Sequence, residues 1–199
     1  MSRKTDLRVL RTRQLLQDAL LDLIEVKPFE SIQVKEIAEE AMVNRATFYL
    51  HYRDKYDLLI QSLADRVEVA LSHIVVPQPV PNPITKTYFR DLILIVVRHF
   101  AAERRFYRLL LVESRLGITS EALETYIEAA TLPWFRTLAK DPDGHAVDMA
   151  LKFASSACVG VLKWWISNDQ PMPEGALADH LVNLLVPALL DQFGVEWEA

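Results

Sequence analysis

Apolar residues recur at helical spacing in the first part of the chain, with charged residues between them. From Asp6 to Val26 this spacing of three and four residues predicts one helix, which ends before Pro28 because proline cannot continue a helix. Such a stripe packs against other helices, so the helix is expected to belong to a bundle. Its apolar positions are Leu16, Ala19, Leu20, Leu23 and Ile24.

Three further helical segments follow, separated by polar residues. The second helix fits the apolar spacing from Val34 to Ala41. Asn44 is a good N-cap for a third helix, from Arg45 to about Leu50, and Asp54 caps a fourth that runs to about His73. Two short helices joined by a turn of about three residues, with longer helices on both sides, predict a helix-turn-helix.

The rest of the chain is predicted to be helical after one linker. Residues 75–83 carry four prolines and cannot form a helix, and no segment predicts a strand. The sequence therefore predicts an all-α fold, with a three-helix helix-turn-helix head at 1–53 and a larger helical body at 54–199. Residues 54–74 form the connecting helix. The helices beyond the linker are Ile84–Ala102, Arg104–Leu116, Ser120–Leu138, His145–Asn168 and Glu174–Phe193.

The net charge of −5 argues at first against a nucleic-acid partner. The distribution of charge changes this interpretation, because residues 1–13 carry five basic residues and one acidic residue. Residues 76–199 carry 11 basic and 15 acidic residues, so the basic excess is confined to the N-terminal end. An acidic body with a basic end can bind a polyanion through that end alone.

Motifs for catalysis and for metal binding are missing from the sequence. There is no Gly-rich phosphate loop, no Gly-x-Ser-x-Gly and no metal-spaced set of His and Cys. The single Cys158 cannot form an internal disulfide and is expected to be a buried structural residue. The N-terminus lacks a signal-peptide segment, and the apolar run 92–97 is far too short to span a membrane. We therefore expect a cytoplasmic protein that is not an enzyme and has no cofactor, metal or membrane partner.

The polar start of the third helix holds the candidate DNA-contacting residues. The N-terminal residues of the second helix of a helix-turn-helix meet the base edges, where polar side chains and a small Ala46 fit. Tyr49, His51 and Lys55 can donate to phosphate oxygens, although Tyr49 fits packing equally well. The candidates, together with basic residues elsewhere in the head, are Arg3, Lys4, Lys35, Asn44, Arg45, Ala46, Thr47, Tyr49, His51 and Lys55.

Ordinary structural roles compete with some of these assignments. Asn44 could serve as a cap alone, Arg45 could be a solvated surface residue, and Phe48 is expected to lie in the core. Of the adjacent Trp164 and Trp165, one is expected to be buried and the other to lie at a seam or pocket wall. Neighbouring residues on a helix point about 100° apart, which prevents both from facing the core.

The segment VKEIAEEAMVNRATFYLHYRDKYDLL, residues 34–59, resembles the DNA-binding signature of the TetR family of bacterial regulators. The resemblance covers about residues 8–60, and 153–185 has a looser resemblance to a C-terminal ligand-binding region of part of that family. The chain departs from the family at Met42, where Gly is usual, and at Gln33, where Ser or Thr is usual. The positions in family register are Ile37, Ala38, Ala41, Val43, Thr47, Phe48, Tyr49, Tyr52, Lys55 and Leu58.

This resemblance implies a homodimer of all-helical subunits that binds a pseudo-palindromic operator in double-stranded DNA. It also implies a small-molecule effector that releases the DNA, and hence a repressor of transcription. The rival interpretation is a helical co-activator or protein–protein adaptor that docks a partner through its C-terminal body. Gel shifts with the DNA upstream of its own gene would separate the two.

The body contains candidate residues for an effector site and for a dimer interface. Most of its aromatic residues are core by default, because a sequence cannot distinguish a cavity from a filled core. The candidate ligand residues are Arg98, His99, Tyr107, Arg108, Tyr126, Trp134 and Trp164. Small residues and leucines on the last two helices predict a four-helix interface, unless these helices only complete the core of each subunit. The candidate interface residues are Ala150, Ala154, Ala157, Leu177, Leu181 and Leu185.

Overall fold

The computed structural model describes residues 7–72, 84–113, 117–139, 144–193, 195 and 197–198. Helices account for nearly all of these residues, which confirms the predicted all-α class. A 3-10 turn lies at Phe29–Ser31 and a π-helical segment at Leu109–Glu113. The predicted linker 75–83 lies outside the described residues. The α-helices are α1 (Leu7–Val26), α2 (Val34–Glu40), α3 (Arg45–His51), α4 (Lys55–Ser72), α5 (Lys86–Ala102), α6 (Arg104–Arg108), α7 (Gly117–Leu138), α8 (His145–Ser167) and α9 (Glu174–Phe193).

The prediction that the chain has no strand was wrong in one detail. Ile84–Thr85 (β1) pairs in parallel with Trp197–Glu198 (β2), so the start of α5 lies beside the C-terminal end of the chain. Each strand has only two residues. Alternation of apolar and polar residues cannot be recognised over so short a segment, so the sequence pattern could not indicate this pair.

The head is built around one apolar cluster shared by α1, α2, α3 and the start of α4. Leu16, Leu20, Ile37, Phe48 and Leu58 all belong to this cluster and are almost fully buried. A helix as short as the seven-residue α3 is not stable on its own. The buried ring of Phe48 therefore fixes α3 to the head, as the sequence predicted.

Side-chain caps fix the chain on both sides of α3. Asn44 Oδ1 accepts from the backbone N–H of Thr47 at 2.7 Å, which confirms the predicted cap. Asp54 Oδ1 accepts from the backbone N–H of Asp57 at 2.8 Å, which confirms the cap of α4. The Asp57 carboxylate in turn accepts from the backbone N–H of Arg53, and this bond is the main reason that the pKa of Asp57 is lowered.

The turn between α2 and α3 passes through a left-handed residue, Met42, with φ 54°. This conformation costs a residue with a Cβ atom about 1–2 kcal/mol, whereas glycine adopts it freely. The Met42 side chain is 87% exposed and therefore gains little from packing. The turn thus has the shape for which glycine is suited, and this chain holds it with methionine.

We expect Met42→Gly to raise the free energy of unfolding by about 1 kcal/mol. Relief of the left-handed strain should exceed the entropy that glycine adds to the unfolded chain. Met42→Ala keeps the Cβ atom and should stay within about 0.5 kcal/mol of the parent. Urea unfolding of the three proteins measures both differences. Equal stability of the Gly and Ala variants would show that this position is not strained.

The body consists of α5 to α9, and α4 connects it to the head. α5 packs along α9, and α7 packs along α8. Leu58 and Leu59 of α4 are buried in the head, whereas Val67 and Ala70 of the same helix face the body. α8 is long and apolar enough to cross a membrane by length and composition alone. Several of its apolar side chains are instead buried against neighbouring helices, as in the core helix of a folded domain.

Candidate nucleic-acid interface and effector cavity

The outward face of α3 is formed by Ala46, Tyr49 and Leu50, because Phe48 on the opposite face is buried. The second helix of a helix-turn-helix inserts such a face into the major groove. Leu50 is 81% exposed and was missed by the sequence analysis, which sought polar side chains and, besides them, only the small Ala46. An apolar side chain at this position can contact the methyl group of thymine. Its signal in the sequence is an apolar residue placed opposite Phe48 on a short helix.

Arg45 and Tyr49 form one unit at the surface of α3. The Arg45 Nη2 donates to the Tyr49 hydroxyl at 3.1 Å, and the guanidinium lies 5.4 Å from the centre of the Tyr49 ring. Both side chains are exposed. The tyrosine therefore orients the guanidinium along the helix while leaving its remaining N–H groups available to a partner.

His51 lies at the C-terminal end of α3 and is partly buried. Burial and, to a smaller extent, the nearby Arg13 cation lower the pKa of His51, which favours the neutral imidazole. Arg13 itself donates to the Tyr52 hydroxyl at 3.3 Å and to Asp65 at 3.1 Å. Arg13 of α1 thus contacts both the end of α3 and α4, and it holds α3, the predicted DNA-recognition helix, against α4.

The geometry contradicts the expected phosphate contact of Lys55. Its Nζ donates to the backbone carbonyls of Phe29 and Glu30, both at 2.8 Å, and of Ile32 at 2.9 Å. An ammonium group has three N–H donors, and these three carbonyls use all of them. Lys55 therefore fastens the turn between α1 and α2 to the start of α4.

We expect Lys55→Met to lower the free energy of unfolding by about 2 kcal/mol, because three carbonyl groups lose their donor. Lys35→Met is the matched control for stability, because Lys35 is exposed and forms a surface ion pair with Glu39 of the same helix, at 3.6 Å. It should change stability by less than about 0.5 kcal/mol. Thermal unfolding and the salt dependence of DNA binding are measured for both. If Lys55→Met leaves stability unchanged and reduces the slope of log affinity against log salt concentration by about one, Lys55 contacts a phosphate after all.

The other predicted DNA contacts are distributed over the head. Arg3 and Lys4 lie outside the described residues. Lys35 is exposed on α2. Arg53, between α3 and α4, was not among the predicted DNA contacts. Its side chain is 88% exposed, and its guanidinium lies 3.4 Å from the Asp57 carboxylate. The sequence signal for Arg53 was a basic residue in the loop that follows the recognition helix.

The body encloses an apolar cavity of about 260 Å³. Its wall is built from α4, α5, α6, α7, α8 and α9. Phe89 and Phe100 both line it from α5, and the eleven-residue separation between them corresponds to about 16 Å along the helix axis. Cys158 also lines the cavity, and burial raises the pKa of its thiol to about 11. Small-molecule sites are concave and mostly apolar, typically of about 300–1,000 Å³, so this cavity is slightly smaller than that range.

Two of the predicted ligand residues, Tyr107 and Trp134, line the cavity. His99 contacts it indirectly, because His99 Nε2 lies 3.0 Å from the Tyr107 hydroxyl. The wall of this cavity does not include the other four predicted residues, which are Arg98, Arg108, Tyr126 and Trp164.

The two arginines have carboxylate partners elsewhere. Arg98 lies 3.6 Å from Glu174, and Arg108 donates to Asp169 at 2.8 Å, so each charge is compensated at the surface rather than in the apolar cavity. Trp164 lies on the outside of α8, whereas the neighbouring Trp165 is buried and donates to the Met172 carbonyl. The prediction that only one of the two tryptophans is buried is thereby confirmed.

The predicted dimer-interface leucines are buried inside a single subunit. Leu177, Leu181 and Leu185 belong to the main core, and Ala150 belongs to a second apolar cluster. These four residues cannot also face a partner, so their assignment to the interface was wrong. Ala154 and Ala157 are partly buried against the same clusters, with Ala154 lining the cavity.

A different set of side chains gives α8 and α9 an exposed apolar surface. Met149, Phe153 and Trp164 follow one another on the outer side of α8, and Leu184 lies on α9. All four are at least 46% exposed. Gly160 lies between Phe153 and Trp164, and a Cβ atom at Gly160 would meet nothing within 4 Å. We name these four side chains the outer stripe; a surface of this kind is typical of an interaction site.

Comparison with known sequences gives matches to both parts of the chain. Residues 16–61 match the family described as bacterial regulatory proteins, tetR family, and residues 88–186 match a transcriptional regulator C-terminal region. The uncharacterized HTH-type transcriptional regulator YxbF of Bacillus subtilis is 33% identical over 75 residues. That match covers 37% of this chain and only 20% of the relative, so it spans about a fifth of the relative's length.

Solved structures of similar fold cover most of the chain. The transcriptional regulator FadR from Bacillus subtilis, in complex with stearoyl-CoA, aligns with a TM-score of 0.59 at 18% identity, over 87% of this chain and 97% of that one. NalD of Pseudomonas aeruginosa, the secondary repressor of the MexAB-OprM multidrug efflux pump, aligns with a TM-score of 0.58 at 17% identity, over 88% and 94%. Identities this low show a common fold and nothing further.

Proposed function

The chain belongs to the TetR family of bacterial transcriptional regulators, and from this premise we propose a homodimeric repressor that an apolar small molecule releases from its operator. One observation carries this proposal: α4, which is packed in the head at one end, forms part of the cavity wall at the other. The head at 1–53 would bind DNA, and the body at 54–199 would bind the effector and the second subunit. As a DNA-binding regulator it would act in the cytoplasm.

The connection from cavity to head runs through two helices. On α4, Leu58 and Leu59 are buried in the head and Val67 contacts the cavity. On α6, Tyr107 lines the cavity, and Arg105 donates to Asp22 and Glu25 of α1, both at 2.5 Å. A molecule that moves α4 or α6 would therefore move the head, because packed helices shift as rigid bodies.

Release requires the effector to bind one arrangement of the heads better than another. An operator contacts both heads of a dimer at a fixed spacing, so a change in that spacing weakens the complex. The repressor named NalD supports negative control, and the stearoyl-CoA complex of FadR supports an effector with an apolar chain; both proteins share this fold. By thermodynamic reciprocity, operator DNA must then weaken effector binding by the same factor.

The second subunit is proposed to cover the outer stripe of α8 and α9. Four exposed apolar side chains on two adjacent helices, with Gly160 permitting close approach, suit a two-fold contact with a second copy. A single recognition helix contacts few base pairs, and a dimer holds two of them at the half-site spacing.

The test begins with gel shifts on the DNA upstream of the chain's own gene, with unrelated DNA as competitor. The probe is 2-decanone, a neutral molecule with an apolar chain. A specific complex that it weakens at least fivefold supports a ligand-released regulator, since coupling between an effector site and a DNA site is typically about 5- to 150-fold. Specific binding that no apolar molecule weakens would contradict release by an effector. If no upstream fragment is bound more tightly than unrelated DNA, sequence-specific binding is contradicted.

Two matched variants of α5 locate the response in the cavity. Ile93 lines the cavity and Ile95 of the same helix does not. Ile93→Trp should fill the space and abolish the response to 2-decanone while operator binding persists. Ile95→Trp should respond like the parent. Equal responses of the two variants would place the effector elsewhere.

A further inference from the structure

Three polar atoms of the body are buried without a hydrogen-bond partner among the residues that the structure describes: Arg104 Nε on α6 and two atoms on α5 and α7. The last two are the hydroxyl of Tyr88 on α5 and the indole Nε1 of Trp134 on α7. Buried donors without partners are rare, because each forfeits the hydrogen bonds that it makes to water in the unfolded chain. The Trp134 N–H is a donor only, so an acceptor atom is the one kind of partner that satisfies it.

Both side chains lie beside Phe89 at one end of the cavity, and Tyr88 is not itself part of the cavity wall. The ring of Phe89, which lines the cavity, lies 5.6 Å from the Tyr88 ring and 5.4 Å from the Trp134 ring. Trp134 is itself part of the cavity wall. This end is opposite to Tyr107, which lies with Phe100 near the head. The cavity therefore has one end with free donor capacity, about 16 Å from the end that faces the head.

The other polar groups of the wall have partners within the fold. The Thr131 hydroxyl donates to the Ile127 carbonyl at 2.7 Å, and the Ser155 hydroxyl donates to Glu128 at 2.6 Å. The Tyr107 hydroxyl has His99 at 3.0 Å. Apart from the Cys158 thiol, which is a weak donor, Trp134 is thus the polar group of the described wall that remains able to orient a ligand.

No Lys, Arg, Asp, Glu or His side chain belongs to the described cavity wall. The wall residues that can ionise, Tyr107 and Cys158, are kept neutral because burial raises the pKa of each. A carboxylate or a phosphate placed there would lose its hydration without gaining a cation, which is strongly unfavourable. The cavity consequently excludes charged head groups and accepts neutral ones.

We propose that the effector is an uncharged, elongated apolar molecule with a hydrogen-bond acceptor oxygen at one end, and that Trp134 donates its indole N–H to this oxygen. The class comprises ketones, esters and lactones of medium chain length. The indole nitrogen is covered by its neighbours, so this contact requires the Trp134 ring to turn about χ2, which is a soft torsion. This inference rests on the proposed function, since it specifies the effector of that site.

The test uses three probes of equal chain length: decane, 2-decanone and decanoate at pH 8. Their affinities for the intact protein are measured by displacement of a fluorescent apolar dye. Trp134→Phe keeps an aromatic ring and removes the N–H, so the preference for 2-decanone over decane should fall about fivefold. Trp164→Phe, on the outer stripe, makes the same substitution outside the cavity and should leave the preference unchanged. Decanoate should bind more weakly than 2-decanone to all three proteins.

A second measurement needs no variant with altered packing. In protein labelled with ¹⁵N at its tryptophan rings, 2-decanone should shift the Trp134 indole N–H resonance and decane should not. An unchanged preference in Trp134→Phe, an unshifted resonance, or tighter binding of decanoate would overturn the inference. Failure of all three probes to bind would instead overturn the proposed effector cavity itself. Binding without release of the operator would contradict the repressor mechanism. The role of Trp134 is then decided by the ligand preference of Trp134→Phe and by the shift of the indole resonance.

Discussion

Phe153→Glu combined with Leu184→Glu is expected to give a folded monomer whose affinity for the operator falls by about 10²- to 10⁴-fold. Both side chains are exposed in the single chain, Phe153 to 53% and Leu184 to 68%, so the substitutions remove little packing within a subunit. In a two-fold dimer they would place four carboxylates in one seam, where like charges without partners repel. A monomer binds one half-site only and loses the gain in affinity that comes from linking two heads.

The adjacent leucine of α9 provides the matched control. Leu185 is 5% exposed and belongs to the main core. Leu185→Glu would bury a carboxylate without a partner. It should lower the free energy of unfolding by about 4 kcal/mol or more, which is enough to unfold the protein. Sedimentation measures the oligomeric state of each variant and circular dichroism measures its helical content. If the double variant stays dimeric, the interface does not include the outer stripe; if it unfolds, that surface belongs to the core of one subunit.

The contrast between Leu184 and Leu185 shows where sequence patterns reach their limit. Helical spacing correctly placed both on an apolar helix, and it also showed that α9 is apolar over more than one face. It could not show which face meets α5 of the same chain, because that depends on contacts between residues nearly 90 positions apart. The leucines assigned to the dimer were those that complete the subunit core.

The head was predictable in far more detail, because its signals are local. The caps Asn44 and Asp54 act on residues three positions away, and the inward position of Phe48 follows from the period of one short helix. Lys55 was misinterpreted for the opposite reason. The carbonyls that bind its ammonium group lie 23 to 26 residues earlier in the chain. A sequence pattern does not show which residues so far apart along the chain lie close together in the fold.

The cavity could not be predicted, although its wall residues could be named as aromatic and apolar. Filled and unfilled cores use the same residue types, and they differ only in how side chains interdigitate. The arginines proposed as polar anchors were natural candidates by composition. Their partners Glu174 and Asp169 come from a later part of the chain, and they hold both cations at the surface.

Arg45→Ala should reduce the preference for the operator over unrelated DNA by about 5- to 150-fold, which corresponds to the loss of one good base contact, about 1–3 kcal/mol. The guanidinium lies at the start of α3, where side chains meet the base edges, and Tyr49 holds it in place at 3.1 Å. Fluorescence anisotropy with labelled operator and with unrelated DNA of the same length measures the preference at several salt concentrations.

Arg98→Ala removes the same charge from α5 of the body, where Arg98 pairs with Glu174, and should change neither affinity nor preference. This control separates a contact of Arg45 from the general effect of one cation on a protein of net charge −5. A phosphate contact would give a third pattern, in which Arg45→Ala weakens both DNAs equally and flattens the salt dependence by about one unit. Since Arg45 is oriented by Tyr49 on the outward face of α3, a loss of discrimination is the result that we expect.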